Sequence, residues 1–374
     1  MLEKVKNIIS RTDSMLFKIF GSDKSLQHLK RIREVQIIFS HLNQNGEDAK
    51  VRFVGGCVRR ALCGESINDI DLATSLKPEE VKQKLVSENI KVIDTGISHG
   101  TVTAILNKKK FEITTLRKDV STDGRHANTK FTLDWQEDAL RRDFTINAIY
   151  ADIEGRIFDP FNGMSDLKNG KIKFIGIAEE RIKEDYLRIL RYFRFFLQYS
   201  KIDHDQFVIQ SIKKNINGIN KISNERIFDE LNKILILRNL YNLFLHKQSR
   251  EVILNIFPQF KSYERLKIIS DLNQKLKDGY DSSLILGSII IDGSNDYEYF
   301  CHKYKFSNRI RNRFINISKN YEKLGNKKFF SQENIKKLIY LLGKDYVKDL
   351  LLFSVCVNKK IKNKNIQNLI NFVE

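Results

Sequence analysis

The spacing of apolar residues changes once along this chain, near Glu179, and this change limits the possible folds more than any other feature. Before that point, short runs of β-type residues alternate with turns and helical stretches. After it, apolar residues such as Ile227, Leu231 and Ile234 recur every three or four positions, as in a helix that is buried on one face. The sequence therefore predicts an α+β fold, with a mixed sheet and helices first and an all-helical remainder after it.

Four strands and one preceding helix are predicted in the N-terminal part. The strands cover residues 51–54, 70–73, 101–106 and 110–116, and residues 25–42 form an amphipathic stretch that we expect to pack on the sheet as a helix. With 374 residues, the chain is longer than one hydrophobic core usually serves. We therefore expect at least two packing units.

The charge of the chain points to a polyanionic partner. There are 65 Lys and Arg residues against 46 Asp and Glu, a net charge of +19. Residues 246–374 alone hold 24 basic and 13 acidic residues, a net charge of +11. The C-terminal third is thus the better candidate for this contact, and the alternative interpretation is a lysine-rich surface that only solvates helices.

Several classes of protein are excluded by the sequence. No apolar run approaches the ~20 residues of a membrane-spanning helix, and the first residues lack the apolar stretch and cleavage site of a secretory signal. The four cysteines (Cys57, Cys63, Cys301 and Cys356) form no C-x-x-C pair, so we expect neither a disulfide framework nor a zinc site. We expect a cytoplasmic protein.

A pair of glycines and a pair of aspartates form the first candidate site. Gly55 and Gly56 end a predicted strand, and without a Cβ they let the backbone approach a phosphate closely. Asp69 and Asp71 lie two residues apart on the next predicted strand, so both project from one face and suit two divalent cations in phosphoryl transfer. Either motif alone is more often a turn or a solvated edge, whereas the combination is much more specific. Glu112, on a later strand, is a candidate third carboxylate, with a salt bridge as the alternative.

A second cluster lies in residues 137–148, EDALRRDFTINA. Arg141 and Arg142 suit triphosphate oxygens, because a planar guanidinium donates two parallel hydrogen bonds. Asp143 and Asn147 follow at what we expect to be a helix start, where they suit ribose hydroxyls. The alternative interpretation is that Asp143 is an ordinary helix cap.

A third cluster lies in residues 181–195, which we expect to form one continuous helix. Asp185, Arg188 and Arg191 are spaced by three and so share a side of that helix, opposite its apolar stripe. A carboxylate beside a guanidinium complements a base edge that carries an amine next to an acceptor, which fits cytosine and adenine. The alternative is a ladder of salt bridges within the helix.

In this order, the three clusters resemble the class II tRNA nucleotidyltransferase and bacterial poly(A) polymerase family, within the DNA-polymerase-β-like nucleotidyltransferases. The resemblance extends from about Arg52 to Leu235 and includes GGxVR with DIDLAT, ExTxxR at 112–117, RRDFTINA, DPFNGMSDL at 159–167, EDxLRxLRxxRF and SNERIFDEL. Beyond His246 no family motif is evident. One departure is Arg60, where the family usually has Asp, and we expect this residue to face solvent or phosphate.

The resemblance implies an enzyme that adds CCA to the 3′ end of tRNA from CTP and ATP, with two Mg²⁺ ions as cofactors. It implies an arm and a head at residues 1–160, a helical neck at 161–245, and a helical body and tail at 246–374 that bind tRNA. The implied partner is tRNA through its acceptor end and its elbow, and the tail would hold the elbow. Carried over by position, the resemblance assigns metal binding and catalysis to Asp69 and Asp71, with Glu112 beside them. It assigns the triphosphate and ribose to Gly55, Gly56, Arg59, Arg142, Asp143 and Asn147, and the choice of base to Asp185 and Arg188. Glu184, Arg191 and Arg194 would order that helix or contact the nucleotide through its phosphates.

Residues 118–135, with Asp123, Gly124 and Arg125, correspond by resemblance to a flexible loop that takes part in the change from C to A addition. Three relatives share the head motifs but make a narrower product, namely CC-adding, A-adding and poly(A)-adding enzymes. A further alternative is an RNA-binding protein with an inactive head, which intact Asp69 and Asp71 argue against. For the tRNA backbone we predict contacts from the basic stretch 303–323, in particular from Lys305, Arg309, Arg311 and Arg313.

Overall fold

The computed structural model describes residues 26–43, 50–67, 69–96, 100–122, 127–272, 274–357 and 363–374. The N-terminal arm up to residue 25, and Asp123, Gly124 and Arg125 of the predicted flexible loop, lie outside these described residues. The chain divides into two packing units, as its length predicts. The first unit comprises residues up to Asp185 together with 199–203, and the second comprises 186–198 and the residues from His204 onwards.

A seven-stranded mixed sheet forms the centre of the first unit. Its strands are β1 (Val51–Val54), β2 (Ile70–Thr74), β3 (Lys91–Gly96), β4 (Thr101–Leu106), β5 (Lys109–Thr115), β8 (Tyr150–Ala151) and β9 (Ile157–Phe158). They are ordered β3-β4-β5-β2-β1-β8-β9, and β2 and β5 run parallel while all other neighbours are antiparallel. The four predicted strands are confirmed to within one residue at each end. Every residue of β1 is buried, as expected for a strand that is covered on both faces.

Within the described part of this unit, seven helices accompany the sheet: α1 (Gln27–Lys30), α2 (Arg33–Leu42), α3 (Gly56–Leu62), α4 (Pro78–Val86), α5 (Trp135–Leu140), α6 (Gly163–Asn169) and α7 (Ala178–Glu184). In α2, the buried residues Val35, Ile38, Phe39 and Leu42 form the stripe that faces the core. The Phe39 ring lies 4.7 Å from the ring of Phe53 in β1, measured between ring centroids. The predicted helix in front of the sheet is thereby confirmed, as two consecutive segments.

The predicted flexible loop is largely a two-stranded antiparallel ribbon. Its strands are β6 (Arg117–Thr122) and β7 (Ala127–Phe131), which pair only with each other among the described strands. The sequence analysis did not predict these two strands, because they carry polar side chains without an apolar alternation and are held as strands by backbone pairing. The base of the ribbon is tied to α5, where Glu137 accepts hydrogen bonds from Lys118 at 2.8 Å and Thr132 at 2.5 Å.

The second unit is helical throughout its described residues, as predicted. Its helices are α8 (Arg188–Tyr199), α9 (Gln206–Asn215), α10 (Asn224–Leu235), α11 (Asn242–Leu245), α12 (Lys247–Ile256), α13 (Arg265–Ser270), α14 (Gln274–Lys277), α15 (Ser282–Ile290), α16 (Asp296–Lys303), α17 (Asn308–Asn320), α18 (Gln332–Leu342), α19 (Lys344–Val357) and α20 (Asn363–Val373). The predicted stripe of α10 is buried along its length. Fully buried aromatic rings, among them Phe257, Phe260 and Phe300, pack together in the core. Across the described part of the chain, no helix combines the length and apolarity that a membrane crossing requires.

Candidate functional site

The two glycines at the end of β1 lie between a guanidinium and a carboxylate. Gly55 has φ +68° and ψ −118°, a backbone conformation that glycine adopts at little cost. A Cβ on Gly55 would lie 3.5 Å from Nη1 of Arg142, and a Cβ on Gly56 would lie 3.6 Å from Oδ2 of Asp71. The turn therefore brings bare backbone next to one positively and one negatively charged group.

Three carboxylates meet on the same side of the sheet. Asp71 lies in β2 directly opposite Glu112 in the parallel neighbour β5, so their side chains share a face, and Asp69 precedes the first residue of β2. Burial raises the pKa of Asp71 to about 6; the charges of Glu112 and Asp69 contribute to this rise, and Arg142 opposes it. Asp69 and Glu112 are thus both close enough to influence Asp71.

These carboxylates suit a hard divalent cation. Asp71 is half-buried, and within the described ranges neither it nor Asp69 forms an ion pair with a lysine or arginine. A carboxylate that is desolvated beside like charges is stabilised by a bound cation. The described residues contain no group of three or more His, Cys, Asp or Glu side chains that could hold a metal ion among themselves. An open pair of this kind fits Mg²⁺, which keeps several waters and takes substrate phosphate oxygens.

Arg142 is fixed by a buried aspartate that the sequence analysis did not single out. Asp138, on α5, is 1% exposed and accepts hydrogen bonds from Arg142 Nη2 at 3.1 Å, Arg141 Nε at 2.8 Å and the Tyr150 hydroxyl at 2.7 Å. Although burial alone would raise it, the pKa of Asp138 is lowered to about 2 by the two guanidiniums and the hydroxyl. Burial raises the pKa of Tyr150, so its hydroxyl keeps the proton that it donates. The spacing of Asp138 from Arg141 and Arg142, three and four residues on a helix, was the signal available in the sequence.

A chain of hydrogen bonds joins three more predicted residues. Arg59 donates to the side-chain oxygen of Asn147, whose amide nitrogen donates to Asp143 at 2.8 Å. Arg59, Asp143 and Asn147 are all buried, and the Arg59 guanidinium lies 5.2 Å from the centre of the Tyr199 ring. The predicted helix start after Asp143 was wrong, because only a single 3₁₀ turn, Thr145–Asn147, forms there. This turn folds Asn147 back onto Asp143, which therefore does not act as the cap of an α-helix.

The DPFNG segment, residues 159–163, helps to hold the 3₁₀ turn in place through α6. Asp159 accepts hydrogen bonds from the backbone N–H groups of Gly163 and Met164, both at 2.8 Å, and so fixes the start of α6. Asp166 on α6 then accepts the Thr145 hydroxyl at 2.9 Å. The DPFNGMSDL motif therefore contributes to the site indirectly, because it fixes the position of the 3₁₀ turn that carries Asn147.

Arg60, the departure from the family pattern, is half-buried on α3. Its charge opposes the rise in the pKa of Asp71, more weakly than that of Arg142. Arg60 thus adds positive charge on the carboxylate side of the turn.

Residues 181–195, predicted to form one continuous helix that carries Asp185 and Arg188, are interrupted. α7 ends at Glu184, Asp185 is extended with φ −153° and ψ 104°, and α8 begins only at Arg188. The prediction that Asp185 and Arg188 share one helix was therefore wrong. Asp185 belongs to the first unit and Arg188 and Arg191 to the second. The break has anchors on both sides, because Arg181 of α7 donates to the carbonyl oxygens of Arg141 and Arg142 and the Tyr186 ring packs on Gly218.

Two of the three residues predicted to order this segment, Glu184 and Arg194, form ion pairs within their own units. Glu184 pairs with Arg181 at 2.6 Å within α7. Arg194 pairs with the buried Glu230 at 2.5 Å within the second unit, and its guanidinium lies 4.1 Å from the centre of the Phe195 ring. The Arg191 guanidinium lies 5.5 Å from the same ring.

The four basic residues predicted to contact tRNA differ in accessibility. Arg309 and Arg311 lie exposed on α17, and Lys305 is exposed but pairs with Glu225 at 2.6 Å. Arg313 donates to both oxygens of Asp349 at 2.7 Å and to Asp281 at 2.6 Å, and only 14% of its side chain is exposed. The prediction of a phosphate contact was wrong for Arg313, because its guanidinium is engaged inside the second unit.

Comparison with protein families matches two segments of the chain. Residues 51–173 match the family described as "Poly A polymerase head domain". Residues 205–263 match the family described as "Probable RNA and SrmB- binding site of polymerase A". The first match contains the glycine turn, the three carboxylates and the Arg142 cluster, which comprises Asp138, Arg141, Arg142 and Tyr150.

Individual relatives match over different lengths. The chain is 49% identical over 203 residues to the human protein named CCA tRNA nucleotidyltransferase 1, mitochondrial, which is 53% of this chain and 46% of the relative. It is 36% identical over 325 residues to the CCA-adding enzyme of Lactobacillus delbrueckii subsp. bulgaricus, which is 80% of this chain and 78% of the relative. The chain thus spans about half the length of the mitochondrial relative and more than two thirds of the bacterial one.

The fold is similar to that of a solved structure. A crystal structure of the Bacillus stearothermophilus CCA-adding enzyme in complex with CTP superimposes with a TM-score of 0.71 and 25% identity, covering 94% of this chain and 82% of that one. The similarity therefore includes the helical second unit.

Proposed function

The chain belongs to the family of tRNA nucleotidyltransferases and bacterial poly(A) polymerases, as its motifs predicted, and from this membership we propose that it adds C, C and A to the 3′ end of tRNA. In this reaction the 3′ hydroxyl of the RNA attacks the α-phosphorus of CTP or ATP, a new phosphodiester bond forms, and pyrophosphate leaves. The observation that carries the proposal is the glycine turn, with a desolvated carboxylate on one side and a fixed guanidinium on the other.

In this proposal Asp69 and Asp71 bind Mg²⁺, with Glu112 beside them. Two Mg²⁺ ions, when bound, activate the attacking hydroxyl and neutralise the charge that develops on the leaving pyrophosphate. Arg142, held by Asp138 and Tyr150, presents its guanidinium to the phosphates beside Gly55. Because Asp138 fixes this side chain before the nucleotide binds, little conformational entropy is lost when the contact forms.

Arg59, Asp143 and Asn147 orient the ribose in this proposal. Their hydrogen-bond chain holds the side chains in one arrangement, so ribose hydroxyls meet groups that are already positioned. For the choice of base we propose Asp185 and Arg188, which would accept from the exocyclic amine and donate to the ring acceptor of cytosine or adenine.

The three-part division forms part of the same proposal. Residues 1–160 would perform the transfer, 161–245 would select the base, and 246–374 would hold tRNA. We also propose that the protein acts in the cytoplasm; the relatives include proteins named mitochondrial, so this placement stays a prediction.

CCA-adding, CC-adding, A-adding and poly(A)-adding enzymes differ in the nucleotides that they add. The proposal is therefore tested by measuring which nucleotides the protein adds to defined RNAs. Purified protein with Mg²⁺ is incubated with tRNA transcripts that lack the tail, lack the final A, or are complete, each with CTP, ATP or both. We expect two C residues from CTP alone on the first transcript, one A from ATP on the second, and no addition to the third. A single type of addition would assign a CC-adding or A-adding enzyme, a long A tract would assign a poly(A) polymerase, and no addition with intact tRNA binding would assign an inactive RNA-binding protein.

The tRNA surface proposed for the second unit is tested by reversing two exposed charges. The double variant Arg309→Glu, Arg311→Glu removes two candidate phosphate contacts, so we expect tRNA affinity to fall by about tenfold and the slope of log K against log salt to become shallower by about 1–2. The affinity for CTP should not change. The measurement is tRNA binding across a salt series.

The matched control is Lys336→Glu, Lys337→Glu, which reverses two exposed charges on α18 of the same unit. The control variant should lose tRNA affinity only because the net positive charge of the protein is lower. Its slope of log K against log salt should therefore change less than that of the Arg309, Arg311 variant. An equal loss in both variants would mean that Arg309 and Arg311 make no specific contact.

A further inference from the structure

The break between α7 and α8 is accompanied by an unusually close contact at Gly218. This glycine is buried in the 3₁₀ segment Ile216–Lys221, and a Cβ placed on it would lie only 2.0 Å from Cδ1 and Cε1 of the Tyr186 ring. The Lys221 ammonium lies 5.7 Å from the centre of the same ring. The ring of Tyr186 thus rests on backbone that only glycine leaves open.

Tyr186 in turn is hydrogen-bonded to the first turn of α8. Its carbonyl oxygen accepts the backbone N–H of Ile189 at 3.1 Å, and Leu187 accepts that of Arg191 at 3.1 Å. Arg188, the first residue of α8, follows Tyr186 by two positions. A displacement of Tyr186 therefore moves the first turn of the helix, and Arg188 with it.

We propose that the Gly218–Tyr186 contact is a clamp that positions Arg188, so that Gly218 and Tyr186 are positioning residues for base selection. The inference rests on the proposed function, because it assigns to Arg188 the donor that meets the base. A donor on a displaced backbone no longer aligns with the ring acceptor of cytosine or adenine, whereas contacts to the phosphates, made by residues of the first unit, keep their geometry.

The decisive variant is Gly218→Ala. The φ of Gly218 is not in the left-handed region, so alanine fits the backbone there, and the three atoms nearest to its methyl group all belong to the Tyr186 ring. We expect the variant to retain CTP binding while the ratio of kcat/KM for CTP to that for UTP, on tRNA that lacks its tail, falls by about tenfold. Gly325→Ala is the matched control in the same unit, because a methyl there meets no atom within 4 Å.

Two substitutions of Tyr186 separate a clamp from a general loss of structure. Tyr186→Phe keeps the ring and should keep the parent selectivity. Tyr186→Ala removes the ring and should lower selectivity as Gly218→Ala does. In the double variant the added methyl no longer meets a ring, so we expect no further loss beyond that of Tyr186→Ala alone.

The outcomes separate this inference from the proposed function. If the parent protein adds neither C nor A to tRNA, the proposed function is wrong and the role of Arg188 fails with it. If the parent is active but Gly218→Ala selects nucleotides as the parent does, or the losses of Gly218→Ala and Tyr186→Ala multiply in the double variant, the clamp is wrong while the proposed function stands. Should Gly218→Ala not fold, an unchanged selectivity in Tyr186→Ala would equally overturn the clamp.

Discussion

Replacing Asp71 with asparagine is expected to lower the rate of nucleotide addition by at least about 1,000-fold, or about 4 kcal/mol of transition-state stabilisation. The same change should leave the Tm of the Mg²⁺-free protein unchanged or higher. The pKa of Asp71 is raised in the folded protein, so at neutral pH the ionised carboxylate is less favourable there than in the unfolded chain. A neutral amide removes this cost together with the cation site. The measurements are single-turnover addition of C and thermal unfolding in EDTA.

Two controls accompany this prediction. Asp69→Asn changes an exposed carboxylate, and should remove activity without raising Tm. Glu79→Gln neutralises an exposed carboxylate on α4 of the same unit and should change neither quantity. Turnover of Asp71→Asn within tenfold of the parent would remove Asp71 from the chemistry, and a collapse of its folded state would show that the carboxylate has a structural role instead.

Replacing Asp138 with asparagine is expected to have the largest combined effect on stability and nucleotide binding. The carboxylate is buried between Arg141, Arg142 and Tyr150, and removing one partner of a buried ion pair typically costs about 3–5 kcal/mol. Asparagine keeps the shape and one acceptor, so we expect a loss in the free energy of unfolding near the lower end of that range. Arg142 would then lose its fixed position beside Gly55, and KM should rise by about tenfold for CTP and for ATP alike.

Asp152→Asn is the matched control for this second prediction. Asp152 is also a buried aspartate of the first unit, 2% exposed and paired with Arg156 at 2.5 Å, but it does not contact the Arg142 cluster. Its replacement should lower stability and leave both KM values unchanged. If Asp138→Asn also lowers stability but leaves both KM values unchanged, Asp138 supports the fold and does not position Arg142 for the phosphate contact.

The sequence predicted those parts of the molecule in which local pattern and packing agree. Val51–Val54 and Thr101–Leu106 were predicted with their exact ends, because apolar runs bounded by turn residues leave one way to bury them. The buried stripe of α10 followed from its helical period. The glycine turn and the two aspartates were found because their order and spacing are specific.

The errors arose where long-range contacts decide the structure. β6 and β7 carry no apolar alternation, so only their mutual pairing makes them strands. Tyr186 has no residue next to it that breaks a helix, and the contact that accompanies the break, Gly218, lies 32 positions further along the chain. Arg313 was grouped with the exposed arginines of α17, because no residue near it in the sequence indicates that Asp349 is its partner. Asp138 could have been predicted from its spacing of three and four residues to Arg141 and Arg142, but the prediction selected Asp143 as the acidic residue of this segment.

The most direct test of the central claim is the sequence of the RNA 3′ ends that the Mg²⁺-loaded protein makes from tail-less tRNA with all four nucleotides present together. A site that transfers nucleotides beside Gly55 and Gly56 and selects them with a protein side chain should yield ends that read CCA and then stop. Ends that carry U or G, that grow into A tracts, or that remain unextended would contradict this account.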